Sequence, residues 1–484
     1  MLFNFVGPSY EAANPLQDAQ RLVNWYTEFD DTAAAKNVIA LLGCPGLKKL
    51  DNTLTGEWRG FWVMPGNLLA YGVCGNQACS IAYNPNGTLT VISLGTLLTN
   101  TGPVAIRDNG IGGVVVIVDG AYGYVYTALT MTFNRIIDPA FLGADKVCFI
   151  DGWLLFNKPS TQVFYTSPLY WDGVKAFDGS FYALKDTNTD NIVSMLETNR
   201  ELWILGERST EIWYDGGGQN FAFQRQGGTV LQMGCAAKHS VVRMGQGLIW
   251  LGRSERGEST IVMTQGYSYV PISTFPISYA IGRYTRTDDA FAYYYSEDGH
   301  EFYVITFPTA DATWCYDLTT KQWHSRASQD PNGTTLHRHR SSAYMNLSNN
   351  RIVGDYQNGK LYKLTRQVFD EDGTPLPAIR RTPHVWDGSD RKRTIGWQLQ
   401  IEFIPGVGLQ GKAVPQVMLR ISNDGGFTWS NERTTDIGAI GQTKRRAIWR
   451  QLGASRDRVY EVKITDPVVR DIVGASLEME GTVA

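Results

Sequence analysis

Few residues in this chain have the types and spacing that chemistry requires. His337 and His339 alternate with Arg338 and Arg340, and alternate residues of a strand share one face, so two imidazoles there could meet a metal ion. No carboxylate or cysteine stands beside them to complete the ligand set, and after Pro331-Asn332-Gly333 the segment reads as a solvated loop. Asp215-Gly216-Gly217-Gly218 is glycine-rich, but a phosphate cradle needs G-x4-G-K-[ST] opening a helix; without that Lys a turn is expected. Six cysteines (Cys44, Cys74, Cys79, Cys148, Cys235, Cys315) lie in strand-like contexts, and Cys74 with Cys79 is the one close pair. Buried free thiols in a reducing cytoplasm are expected, rather than a zinc site. No G-x-S-x-G segment frames a serine nucleophile. The expectation is a non-enzyme with no catalytic residue, metal or cofactor.

One stretch is far more specific. Ser422-Asn423-Asp424-Gly425-Gly426-Phe427-Thr428-Trp429 fits the Asp-box pattern S-x-D-x-G-x-T-W at every defined position. Its chemistry is that of a hairpin turn. Asp424 can accept hydrogen bonds from amides two residues on, and Gly425-Gly426 supplies positive φ angles. Ser422 and Thr428 stand where the strands leave and re-enter, and Trp429 can cover the turn. Such boxes recur in sialidases, where they are structural, so a glycan-binding or sialidase-like propeller is the alternative reading. Against it, sialidases carry several boxes on successive blades, whereas this chain has one, outside its repeats.

A turn needs strands, and the composition supplies them. The 484 residues include 50 Gly, 14 Trp, 24 Tyr and 20 Phe, with 43% hydrophobic and 19% charged residues, the profile of many short strands joined by tight turns. A net charge of −3 argues against bulk attraction to nucleic acid. The longest apolar run, Gly112 to Val118, is strand-sized, well short of the ~20 residues of a membrane span. The opening residues have neither a basic region nor an apolar one, so neither a secretory signal nor a membrane contact is expected.

From Asn37 to about Trp386, an apolar strand, a turn and an aromatic strand recur at roughly forty to fifty residues, a propeller period. Val114 to Val118 leading through Asp119-Gly120 to Tyr124-Val125-Tyr126 is one such unit; Tyr316-Asp317 followed by Trp323 marks the clearest. The fold class is therefore all-β, with a propeller of six or seven blades, seven favoured. Asn37 to Leu42 is a free strand expected to close the last blade beside Pro377 to Val385. Beyond Trp386 the runs Gly396 to Phe403, Gln416 to Ile421 and Val459 to Ile464 alternate with period two, as sandwich strands do. The expected organisation is an N-terminal arm over 1–36, a propeller over 37–386 and a β-sandwich over 387–484 that holds the box. In the arm, Arg21, Trp25 and Tyr26 are candidate contacts for a neighbour, since such aromatics are costly to leave in water. The clusters Arg391-Lys392-Arg393 and Lys444-Arg445-Arg446, with Arg450, fall in the last domain. There Arg445, Arg446 and Arg450 are candidate intersubunit or partner contacts, guanidinium being suited to bidentate pairing with carboxylates.

The run from Leu419 to Pro467 resembles the C-terminal segment of the packaged-DNA stabilisation, or tail hub, family of short-tailed bacteriophages. The likeness rests on Arg420, the box, Gly438, Gly441, Arg446, Trp449-Arg450, Leu452-Gly453 and Arg458-Val459-Tyr460. Asp18-x-Gln20-Arg21-x2-Asn24-Trp25-Tyr26 and Gly43-Cys44-Pro45-Gly46-Leu47 are similar to that family's opening. The resemblance implies a structural virion protein, assembled in the host bacterial cytoplasm as a homo-hexameric ring. That ring would sit below the portal and its adaptor, close the DNA exit channel and anchor needle, fibre or spike proteins. Packaged double-stranded DNA would touch it non-specifically, if at all.

Overall fold

The computed structural model describes residues 5–30, 38–50, 54–218, 221–387, 392–409 and 414–481. Asn37 and Arg391, named above, lie outside them. The described residues are strands almost throughout, with a single helix, Phe275–Gly282.

Seven antiparallel sheets follow one another along the chain, with innermost strands Trp58–Val63, Ala105–Asp108, Val147–Ile150, Ile192–Thr198, Val242–Met244, Phe291–Glu297 and Ser341–Leu347. Each innermost strand lies against the next, and the seventh lies against the first, so the ring is closed. Local chemistry explains the units. Val114–Val118 (VVVIV) is buried along its whole length, as a strand sandwiched between neighbouring sheets must be. The turn after it is held by Asp119, whose Oδ1 accepts from the amides of Ala121 and Tyr122 at 3.2 and 2.7 Å, while Gly120 takes φ +97°. In the sixth sheet Asp317 does the same work. Buried to 1% exposure, it accepts from the Thr319 amide (3.0 Å) and the Thr320 hydroxyl (2.8 Å) and pairs with His300 Nδ1 (2.7 Å). Tyr316 and Trp323 then face each other across the hairpin at 4.9 Å.

Closure differs from the sequence expectation. The strand that completes the seventh sheet is Gly46–Leu50, antiparallel to Leu361–Thr365. Ile39–Gly43, expected there, pairs instead with Trp25–Phe29 and with Ile472. Ala378–Arg381 likewise leaves the propeller and runs between Ala19–Val23 and Val459–Ile464. The reason is steric and apolar. Leu47 and Leu50 are buried while Lys48 and Lys49 are exposed, and a Cβ at Gly46 would stand 2.4 Å from the Val368 carbonyl oxygen. The Gly-Cys-Pro-Gly segment is thus the crossing from sandwich to propeller.

The sandwich has two sheets. One orders Ala19–Val23, Ala378–Arg381, Val459–Ile464, Gln416–Ser422 and Arg433–Asp436; the other orders Trp25–Phe29, Ile39–Gly43, Ile472–Gly481, Thr394–Phe403 and Ala447–Ser455. Leu22, Trp25, Leu399, Val417, Trp449 and Val462 meet between them. The sandwich therefore takes strands from both before and after the propeller, which is inserted in it, and Val23 bridges to Ser325 so that one sheet runs on into the sixth blade.

Candidate functional site: a buried junction, a clamped arm and a braced channel

Where the chain passes from one sandwich sheet to the other, Asn24 takes φ +54° and is 1% exposed. Its side-chain amide donates to the carbonyls of Ala327 and Pro377, both at 2.7 Å, and its Oδ1 accepts from the Ala327 amide at 3.0 Å. Its backbone N–H donates to Ser325 O, and its carbonyl accepts from the Cys44 amide. One residue thus ties the opening strands to the end of the sixth blade and to the return into the sandwich. Beside it, Trp25 donates to the Arg470 carbonyl at 3.1 Å, and the Arg470 guanidinium donates to Leu376 O (2.6 Å) and Cys44 O (3.1 Å). Burial pushes that guanidinium down to about 10. Asp471 accepts from the Gly43 amide (2.7 Å) and pairs with Arg366 (2.9 Å).

Trp25 and Tyr26 are therefore not partner contacts. Trp25 is fully enclosed by its own chain, and Tyr26 packs edge-on against His300 and Phe302 of the sixth blade at 4.9 and 5.1 Å. Aromatics that would be costly in water are buried at the domain joint. Arg21 is partly buried and lines a small cavity with Glu11, Asp311 and His337.

The Asp box forms the turn between Gln416–Ser422 and Arg433–Asp436. Its wiring is wider than a two-residue reach. Asp424 accepts from the Thr428 amide (2.9 and 3.0 Å) and hydroxyl (2.5 Å), four residues on, while Ser422 Oγ accepts from the Gly426 amide at 2.7 Å. Gly425 and Gly426, at φ +75° and +99°, open the loop that far. Bonds from Thr428 hold the Asp424 carboxyl down at about 2. Trp429 donates across the turn to Gly426 O at 3.0 Å. Arg381 and Arg420 lie over its ring at 4.9 and 5.1 Å, and both pair with the buried Glu461. The box also seats the arm. Leu16 lies close against Gly425, and His384 holds Pro15 O at 2.8 Å. Asp424→Ala should shift Trp429 fluorescence and raise hydrogen exchange at Gly426 and Thr428, while Asp424→Asn, which keeps an acceptor, should change both less.

Arg445 and Arg446 lie on the sandwich surface, paired with Asp436 (2.7 Å) and Glu402 (3.3 Å). Arg450 is exposed on the edge strand Ala447–Ser455 and has no ion pair among the described residues. Of the two alternating histidines, His337 does have carboxylates beside it in space, Asp311 at 2.6 Å from the preceding hairpin and Asp330 at 3.2 Å, seven residues earlier in the chain. They occupy both ring nitrogens and raise its pKa. His339 is buried next to Ser341. No group of side chains able to hold a metal ion occurs among the described residues. The six cysteines are buried and free, and Asp215 accepts from the Gly217 amide in a turn.

The propeller axis was invisible in the sequence. Residues on, or just before, the innermost strands of all seven sheets line a cavity of about 190 Å³. Three polar bridges join blades that are not neighbours: Arg107 to Glu197 at 3.0 Å, Lys238 to Asp145 at 2.8 Å, and Lys146 Nζ to His239 Nδ1 at 3.1 Å. Each joins residues about ninety positions apart, so no local pattern signals it.

A closed ring of seven sheets, inserted in a sandwich and joined to it by buried polar groups, defines a two-part propeller–sandwich protein. The chain belongs to the bacteriophage P22 Gp10 family: the model of the Gp10 β-propeller matches residues 19–369, and that of the Gp10 β-sandwich matches residues 379–480. It is thus a phage structural protein and a virion component. No curated protein matches the chain. Among solved structures, the N-terminal domain of Nup159 is 12% identical, covering 71% of this chain and 99% of that one, with TM-score 0.39. YCF48 bound to D1 peptide gives 10%, 67% and 98%, with TM-score 0.38. A functionally unknown protein from Desulfotomaculum acetoxidans gives 12%, 70% and 99%, with TM-score 0.41.

Proposed function

We propose that this chain is a tail hub subunit of a short-tailed phage. A homo-hexameric ring of it attaches below the portal and adaptor, closes the DNA exit channel, retains the packaged genome and anchors needle, fibre or spike proteins. The observation that carries this reading is the match of two Gp10 models, in order, over both parts of the chain. The braced axial cavity adds to it. At about 190 Å³ it is far too small for a duplex, so any DNA passage runs between copies, and the mechanism is steric. Leu129, Ile137 and Val174, 92%, 80% and 85% exposed at the outer ends of the second and third blades, offer apolar surface of the kind subunit contacts cover. Arg450 and the Arg445–Arg446 edge are the polar contacts of the same assembly.

Imaging of purified particles tests the proposal. Density for this chain should form a ring on the tail axis, and particles lacking it should fill with DNA and then lose it. A monomer absent from virions would sink the idea. Cleavage of a fluorogenic sialoside by the purified chain would instead favour the glycan-acting alternative.

A further inference from the structure

The axial cavity contains a cation that the protein does not balance. Arg107 has Glu197 and Lys238 has Asp145, but the Lys146 ammonium has one hydrogen-bond partner among the described residues, the imidazole of His239. The groups around it are of the wrong kind. Arg107 and Lys238 add positive charge, and Cys148 and Cys235 are buried thiols that burial keeps protonated. Burial, with those two cations, pushes Lys146 down to about 8, and burial with Lys146 and Lys238 nearby holds His239 neutral. Arg59 also lines the cavity, yet its guanidinium is engaged by the carbonyls of Gly75, Thr99 and Gly102. Lys146 is thus a half-buried charge with donors to spare, facing the axial cavity.

We propose that the propeller axis holds a small tetrahedral oxyanion of the phosphate or sulfate class, on Lys146 with His239 beside it. The anion supplies the counter-charge the fold omits, and beside partly buried groups that pairing is stronger than at the open surface. His239 turns from acceptor to donor as the anion arrives, since either ring nitrogen can carry a proton. The cross-bridges on either side leave room for a free anion but not for a base-bearing nucleotide. By joining Lys146 of the third blade to His239 at the entry to the fifth, the anion would tighten the ring across its axis.

Calorimetric titration of the full chain with sodium phosphate, against sodium chloride at equal ionic strength, should show one saturable site. Lys146→Met should weaken it about tenfold or more. A second measurement uses the unmodified protein, so that folding of the variant is not at issue. Acetylation of Lys146, followed by mass spectrometry, should slow about tenfold in phosphate as its pKa and access change, while the exposed Lys48 reacts at its usual rate. Binding that survives Lys146→Met, acetylation indifferent to phosphate, or a response to a 5′-phosphorylated oligonucleotide but not to inorganic phosphate would each overturn the proposal.

Discussion

Asn24→Ala should destabilise the chain by on the order of 4 kcal/mol, because it leaves the Ala327 and Pro377 carbonyls and the Ala327 amide unpaired in a dry site. The backbone adds to the loss, since alanine at φ +54° is disfavoured by about 1 kcal/mol where asparagine is tolerated. A graded series separates these contributions. Asn24→Gly accepts the φ angle but makes none of the side-chain bonds, so it should fall about 1 kcal/mol short of the alanine loss. Asn24→Asp should be the worst at neutral pH, since one carboxylate oxygen would replace the amide nitrogen that now faces two carbonyls at 2.7 Å. Urea unfolding, followed separately by tryptophan fluorescence and by exchange at propeller amides, reads the outcome. The wild type should unfold in one transition because the two parts share this joint; Asn24→Ala should split it in two. A loss below about 1 kcal/mol with a single transition would mean that the joint does not depend on Asn24.

The same residue shows what a sequence can and cannot reveal. The blades were legible because each is local: Val114–Val118 with Asp119-Gly120, or Tyr316-Asp317 with Trp323, carries strand, turn and return within a few residues. So was the box, whose bonds span four residues. Asn24-Trp25-Tyr26 was legible as a motif but not as a joint. The partners of Asn24 lie about three hundred residues or more away, and the choice between burying an aromatic in its own chain or in a neighbour is settled by where those segments return. The closing strand failed for a related reason. Ile39–Gly43 and Gly46–Leu50 are both five-residue strands with buried leucines, two residues apart. Only the facing surfaces, Trp25–Phe29 for one and Leu361–Thr365 for the other, decide which sheet each enters. The axis is the extreme case, because Lys146 and His239 sit in unremarkable loops until seven blades bring them together.

Arg380 gives the second large effect, and it bears on the arm. It is fully buried with no carboxylate partner among the described residues, and its guanidinium donates to Phe5 O at 2.6 Å, Pro8 O at 3.0 Å and Gln20 Oε1 at 2.7 Å. Burial lowers it to about 9, so it remains charged at neutral pH and is held by neutral acceptors. A Cβ on Gly7 would stand 2.9 Å from Gln20 Oε1 and 3.0 Å from Arg380 itself, so the arm is moulded around this side chain. Arg380→Ala removes three charge-assisted bonds and leaves a cavity, and should cost about 3 kcal/mol. Arg380→Met distinguishes two meanings of that loss. It fills the cavity without a charge to bury, so global stability should recover by about half or more, as buried ions exchanged for apolar groups commonly allow. The arm should not recover, because the Phe5 and Pro8 carbonyls still lack donors. Hydrogen exchange of residues 5–12 and early proteolysis there should therefore rise in both variants while the propeller stays protected. If Arg380→Met restores the arm's protection as well, shape and not the guanidinium holds it. If the arm stays loose, the variant separates arm from fold, and ring assembly by that protein tests whether the arm has a part in the hub.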